Sequence, residues 1–214
     1  MRNILVINSS AAGDDAASRV LVRSVVEALE RDAPGATIVQ RDVGREPIPH
    51  LTADGLGGIG RGEAQTPGAR RTRALSDALI AELRAADVIV IGAPMYNFGM
   101  PTTLRAWFDH VLRPGETFAY SEAGPRGLLE GKRAIVVESR GGEYSSGPAR
   151  AIDFQEPYLE HLLGFMGIDD VTFVRAEKMG FGPEARAAAM AAAEAMISAG
   201  FVRERAGEEA AAAA

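Results

Sequence analysis

Short unbroken apolar runs alternate along this chain with longer segments whose apolar residues return every three or four positions. The runs "NILVIN" at 3–8, "ATIVQR" at 36–41, the stretch 87–92 within "ADVIVIG", "RAIVVE" at 133–138 and "VTFVR" at 171–175 predict five buried strands. Helices are predicted over 16–32, 70–85, 101–113, 156–166 and 183–204. Their inward faces are marked by Leu21, Val25 and Leu29 in the first, Leu79 and Leu83 in the second, and Trp107, Phe108 and Val111 in the third. Tyr158, Leu162, Phe165 and Met166 mark the fourth. Pro101 suits a first helical turn, where its missing N–H costs nothing. The Gly- and Pro-rich segment 42–68 reads as a long surface excursion, and 114–130 and 139–148 as loops. One domain over 1–206 follows, with a disordered alanine-rich tail at 207–214.

Strands alternating with helices call for a parallel sheet covered on both faces. For five strands the expected order is 2-1-3-4-5, a doubly wound α/β fold. Such a sheet binds ligands beyond the carboxyl ends of its strands, where the order reverses. The loops after strands 1, 3 and 4 would gather there. They read "SSAAGDDAAS" (9–18), "APMYNFGMP" (93–101) and "SRGGEYSSGP" (139–148).

Composition narrows the chemistry. The 214 residues carry a net charge of −6, which argues against general affinity for nucleic acid or anionic membrane. The absence of cysteine excludes disulfides, thiolate metal sites and a cysteine nucleophile. No apolar stretch approaches the ~20 residues of a membrane span, and the first residues lack signal-peptide anatomy, so a cytoplasmic protein is expected. His50, His110 and His161 have no metal-ligand spacing, and no metal site is expected.

Each rim loop has a functional and an ordinary reading. Ser9, Ser10, Gly13 and Ser18 lead into a helix start, where open N–H groups and the helix dipole favour a phosphate. They would equally serve as plain N-capping residues. Neither G-x-x-x-x-G-K-[ST] nor G-x-G-x-x-G occurs, so one monophosphate suits the loop better than a pyrophosphate. Asp14 and Asp15 would repel it unless they turn to solvent. Met95, Tyr96, Asn97 and Phe98 offer apolar walls and a polar edge to a flat heterocycle, or Tyr96 and Phe98 fold back on the core. Ser139, Arg140, Gly141 and Gly142 allow close backbone approach, with Arg140 free to neutralise charge or pack on a ring; a flexible turn is the alternative. Together the loops describe a phosphate at one end and a planar ring at the other. Flavin mononucleotide (FMN) has that shape.

"APMYNFGMPTTLRAWFDHVLRPGETFAY" (93–120), followed by "SRGG" and "PYLEHLLGFMGI" (157–168), resembles the FMN-dependent NADH-azoreductases, also described as NADH:quinone oxidoreductases, of flavodoxin-like fold. The resemblance runs from residue 3 to about residue 200. It implies a homodimer with one FMN per subunit and active sites at the interface. By analogy, Ser9 and Ala16 to Ser18 hold the phosphate, while Met95 to Phe98 and Ser139 to Gly142 line the ring. Phe98, Tyr120 and Phe165 are the implied substrate-side aromatics, although Phe165 also falls on an apolar helix stripe. The family often has S-x-S where this chain has Ala16, Ala17, Ser18, so one hydroxyl is missing.

The implied activity is transfer of two electrons from NADH, or NADPH, through FMN to quinones and azo compounds by a ping-pong mechanism. No protein nucleophile is needed, and Tyr120 is a candidate hydrogen-bond donor to substrate. The alternative is an electron carrier of the flavodoxin type without its own small-molecule substrate. Hydrolysis is disfavoured, because Ser9, Ser139, Ser145 and Ser146 lack an evident base.

Overall fold

A computed structural model describes residues 2–60 and 62–200. Five parallel strands form the central sheet: β1 (Asn3–Asn8), β2 (Thr37–Asp42), β3 (Val88–Pro94), β6 (Arg133–Ser139) and β7 (Asp170–Ala176). Their order is β2-β1-β3-β6-β7. A hairpin of β4 (Phe118–Ser121) and β5 (Gly124–Gly127) stands apart as a two-stranded sheet. Leaving the hairpin out, the sheet has the expected order 2-1-3-4-5. The helices are α1 (Ala17–Asp32), α2 (Pro67–Ala85), α3 (Thr102–Val111), α4 (Glu156–Phe165) and α5 (Pro183–Ser198).

Alternation along each strand divides the core in two. Leu5, Ile7, Ile89, Ile91, Ala134 and Val136 pack under α2, α3 and α4. Ile4, Val6, Val88, Val90, Ile135 and Val137 pack under α1 and α5. β3 is central and buried along its whole length, which is why its sequence is a continuous apolar run. α1 lies close on it at Gly92, where an added Cβ would stand 3.0 Å from a Val22 methyl. That contact seats the start of α1 beside the end of β3, at the switch point.

Several expectations need correction. Segment 114–130 is not one loop, because 118–127 closes as the hairpin. The excursion 42–68 contains a 3-10 turn at Leu56–Gly58, and α2 starts at Pro67. Thr66 ends the excursion by accepting the Ala69 N–H on its hydroxyl, 3.0 Å away. Pro101 is the N-cap of α3, one position before its first turn. The inward face of α4 is Leu159, Leu162 and Leu163, followed by Met166, while Tyr158 is exposed. α5 ends at Ser198; the residues from 201 on, including the tail 207–214, lie outside the described residues.

Candidate functional site

The end of β1 is tied to the end of β3. Ser9 donates both its N–H (3.2 Å) and its hydroxyl (2.6 Å) to the Gly92 carbonyl. The chain then crosses the rim through Ser10, Ala12 and Gly13. The N–H of Ala12 donates to the Ser10 hydroxyl at 3.2 Å, and the N–H of Ala16 donates to the Gly13 carbonyl at 3.0 Å. Ala16 is the N-cap of α1 and makes no side-chain cap bond. The first-turn N–H groups of Ala17 and Ser18 are therefore left for a ligand or solvent.

Carboxylates in this loop are unequal. Asp14 pairs with Arg45 at 2.6 Å, and that hydrogen bond holds its carboxyl below the usual range. Arg45 in turn lies near Asp42, which grips the buried Arg19 at 2.5 Å. Asp15 lines the hollow described below.

The turn after β3 is strained. The N–H of Tyr96 donates to the Gly99 carbonyl at 2.9 Å and that of Gly99 to the Tyr96 carbonyl at 3.1 Å. Asn97 and Phe98 between them have φ of 48° and 70°. A bulky residue in the left-handed region is an outlier that costs on the order of 1–3 kcal/mol, and such strain clusters at functional sites. The turn holds the Tyr96 ring toward the first loop, where its hydroxyl accepts the Ala11 N–H at 3.2 Å.

The loop after β6 is laced to the loop after β7. Met179 donates its N–H to Arg140 O at 3.0 Å, Gly180 to Gly141 O at 2.9 Å, and Lys178 to Gly142 O at 2.8 Å. Beneath it lies an ionic cluster. The guanidinium of Arg140 is fully buried and meets Glu138 (2.5 Å), Asp153 (2.9 Å), Glu156 (3.3 Å) and Glu177 (3.3 Å). Burial pushes the Glu138 carboxyl up to about 8, and Arg140 only partly opposes this. Glu156 is also pulled upward by burial, but its two bonds from Arg175, both 2.6 Å, more than offset that and leave it lowered.

These three loops and the start of α5 enclose a hollow of about 490 Å³. Its walls are Ser10, Ala12, Gly13 and Asp15 to Ala17 on one side, Pro94 to Tyr96 on another, and Ser139 to Gly141 with Met179 and Arg186 on the third. Of the residues singled out by sequence, Ala16, Ala17, Met95, Tyr96, Ser139, Arg140 and Gly141 converge here. Ser9 and Ser18 are buried behind it, and the Ser9 hydroxyl is occupied by Gly92. The expectation that Arg140 is free to neutralise a ligand's charge is corrected: its guanidinium is fully buried among four carboxylates. Asn97, Phe98 and Gly142 lie outside the lining; Phe98 meets the Tyr144 ring edge-on at 6.1 Å. Tyr120 and Phe165 gather on Phe118, at 5.5 and 4.6 Å between ring centres, away from the lining residues. His110 is a structural residue, buried with its Nε2 2.9 Å from the Pro49 carbonyl.

Met179 and Arg186 were missed. Their signal was topological: β7 is parallel to the other strands, so the loop after it ends on the same rim. Replacing Ala16 by Ser is expected to restore an N-cap. Ala16→Ser should raise the stability of the chain by about 0.5–1 kcal/mol, read as a higher Tm without ligand, and should tighten any anion held by α1.

The family described as flavodoxin-like fold matches residues 2–200. A relative from Hyphomonas neptunium, an FMN-dependent NADH:quinone oxidoreductase, is 59% identical over 198 residues, covering 92% of this chain and 95% of its own. An azoreductase structure from Bacillus anthracis superposes with a TM-score of 0.86 at 26% identity, covering 93% of this chain and 98% of its own. A second structure from that organism, an FMN-dependent NADH-azoreductase in complex with FMN, has a TM-score of 0.82 at 25% identity, covering 93% and 99%. This chain belongs to the flavodoxin-like family that contains the FMN-dependent NADH:quinone oxidoreductases.

Proposed function

We propose that this chain is an FMN-dependent oxidoreductase that moves two electrons from NADH to quinones and azo compounds. The observation that carries this reading is the hollow at the switch point between β1 and β3, with an uncapped helix start at one end and an aromatic turn at the other. Its size falls within the few hundred to a thousand Å³ of small-molecule sites.

The residues present fit the cofactor. A phosphate needs N–H donors, and α1 offers those of its first turn. A flat ring needs apolar walls and close backbone, offered by Met95, Tyr96 and the main chain of 139–141. Nothing lies within 4 Å of where a Cβ would stand on Gly13 or Gly141, so both flanks of the hollow are open. When bound, FMN supplies the hydride chemistry, and the protein's part is to bind, orient and shield it. The strained turn at 97–98 holds Tyr96 against the first loop, and the Arg140 cluster holds the loop 139–142 in place. Donor and acceptor would use the same exposed ring face in turn, which gives ping-pong kinetics.

We read the functional unit as a homodimer. Exposed Phe98, Ile152, Phe154 and Tyr158 offer apolar surface beside the hollow's outer turn, where the Phe154 N–H donates to Phe98 O at 3.2 Å. Tyr120 and Phe165 lie off the lining of their own protomer's hollow, and in a dimer they would serve the partner's. No helix among the described residues is long and apolar enough to cross a membrane, and we place the enzyme in the cytoplasm, where NADH is held.

The visible spectrum tests the reading. The purified dimer should show oxidised-flavin bands that bleach on adding NADH alone and return on adding a quinone. Bands that do not bleach with NADH would make the chain an electron carrier. A chain that takes up no FMN would overturn the reading.

A further inference from the structure

The hollow has one cation to spare. Arg19 is held by Asp42 and the Ser10 carbonyl, Arg45 by Asp14, Arg23 by the Asp14 carbonyl, and Arg140 by four carboxylates. Arg186 also lines the hollow, is exposed, and has no side-chain hydrogen bond or ion pair among the described residues. It is carried by the first turns of α5, whose N-cap is Gly182 and so offers no side-chain cap.

α5 runs beside α1 in the same direction. Glu194 accepts the Ser24 hydroxyl at 2.7 Å, and Arg186 precedes Glu194 by as many residues as Ala16 precedes Ser24. The two helices thus bring their positive ends to one edge of the hollow. Against them stands Asp15, the only carboxylate side chain in the lining. A dianion bound at the α1 start would meet that carboxylate, and no other guanidinium in the lining is available to offset it.

Resting on the flavin reading above, we infer that Arg186 binds the FMN 5′-phosphate, supplying from the last helix the charge that this chain's first loop lacks. The missing hydroxyl at Ala16 leaves α1 with main-chain donors, and the acidic first loop weakens the local potential. A guanidinium reaching in from α5 answers both. It presents a planar fork to phosphate oxygens, and its exposed stem lets it swing aside for cofactor entry. The same geometry admits another phosphate source, the pyrophosphate of the nicotinamide donor, and the test separates the two.

The test compares FMN with riboflavin, which lacks the phosphate. Full-length protein is freed of flavin by dialysis and titrated with each flavin, following flavin fluorescence. Arg186→Gln should weaken FMN binding about tenfold and leave riboflavin binding unchanged. Arg186→Lys should retain most of the FMN affinity, and rising salt should erode the wild-type preference for FMN over riboflavin. Equal weakening for both flavins would make Arg186 a structural residue and overturn the inference. So would a raised KM for NADH with FMN affinity unchanged, which would assign the cation to the donor. Wild type that binds FMN no more tightly than Arg186→Gln overturns the inference alone; wild type that binds neither flavin overturns the functional reading with it.

Discussion

Above about pH 8, where Glu138 is ionised in the wild type, Arg140→Met is expected to cost about 3–5 kcal/mol of folding stability, because removing one partner of a buried ion pair leaves the other charge uncompensated. Here one cation serves four acids. Three of them have other partners. Glu156 keeps Arg175, Glu177 keeps the N–H groups of Tyr144 and Ser145 and the Ser145 hydroxyl, and Asp153 still accepts the N–H groups of Gln155 and Glu156. Glu138 has no other ion-pair partner among the described residues: it is fully buried, and its Oε1 has no hydrogen-bond partner even with Arg140 present. Against a total of about 5–15 kcal/mol for a typical domain, the loss would leave a marginal protein. Urea denaturation at one fixed protomer concentration measures it. Arg140→Lys should recover only part, since a single ammonium cannot span acids on three sides as a guanidinium does. Above about pH 8, adding Glu138→Gln to Arg140→Met should recover part of the loss, because it removes the carboxyl that would otherwise ionise without its cation. A loss below about 1 kcal/mol for Arg140→Met, the range of an exposed pair, would mean that the cluster is wetter than its burial indicates.

The same residue shows what the sequence conceals. The parallel sheet was legible because a strand buried on both faces must be written as a run, as in "ADVIVIG", and because alternating helices leave few topologies. Tyr96 was legible as a wall because an aromatic next to a strand end and a helix start has little core within reach. Arg140 was not. In a glycine-rich loop it reads as a free cation, and its acids come from β6, the segment before α4, α4 itself and the end of β7. Only the folded register of β6 on β7, which sets Glu138 beside Arg175, reveals the cluster. The hairpin at 118–127 was obscured by "EAGPRG", where Gly at both ends of a four-residue strand and Pro at its second position look like loop. Arg186 went unread because attention to three rim loops omitted the one after the last strand. Pair positions that are local survive in the sequence; those made by distant segments do not.

Glu138→Gln should remove a pH dependence that the wild type carries. In the folded chain burial pushes the Glu138 carboxyl up to about 8, from an ordinary value of 4.5. Between those values the folded state holds a proton that the unfolded state has lost. Unfolding then releases the proton, so stability falls as pH rises through the window, by up to about 1.4 kcal/mol per pH unit. The contribution is intact below the unfolded value and gone above about 8. Among the described residues, the charged groups gathered around Glu138 are those of the cluster: Arg140 beside it, Asp153 just before α4, Glu156 at its start, and Arg175 and Glu177 from β7 and its end. Glu156 is lowered and works the other way, losing stability only as pH falls toward the acid range. Wild type should therefore be most stable near the acid edge of the window and weaken toward alkaline pH. The glutamine variant has the same shape and an amide oxygen that can accept from Arg140, with no proton to lose. Its Tm should stay level across the window and exceed that of wild type above it. Since Ser139, which lines the hollow, directly follows Glu138, loss of bound FMN from wild type should steepen over the same pH range and be absent from the variant. Parallel Tm curves for the two proteins would place the Glu138 proton outside this window, and with it the reason for one cation to sit among four acids.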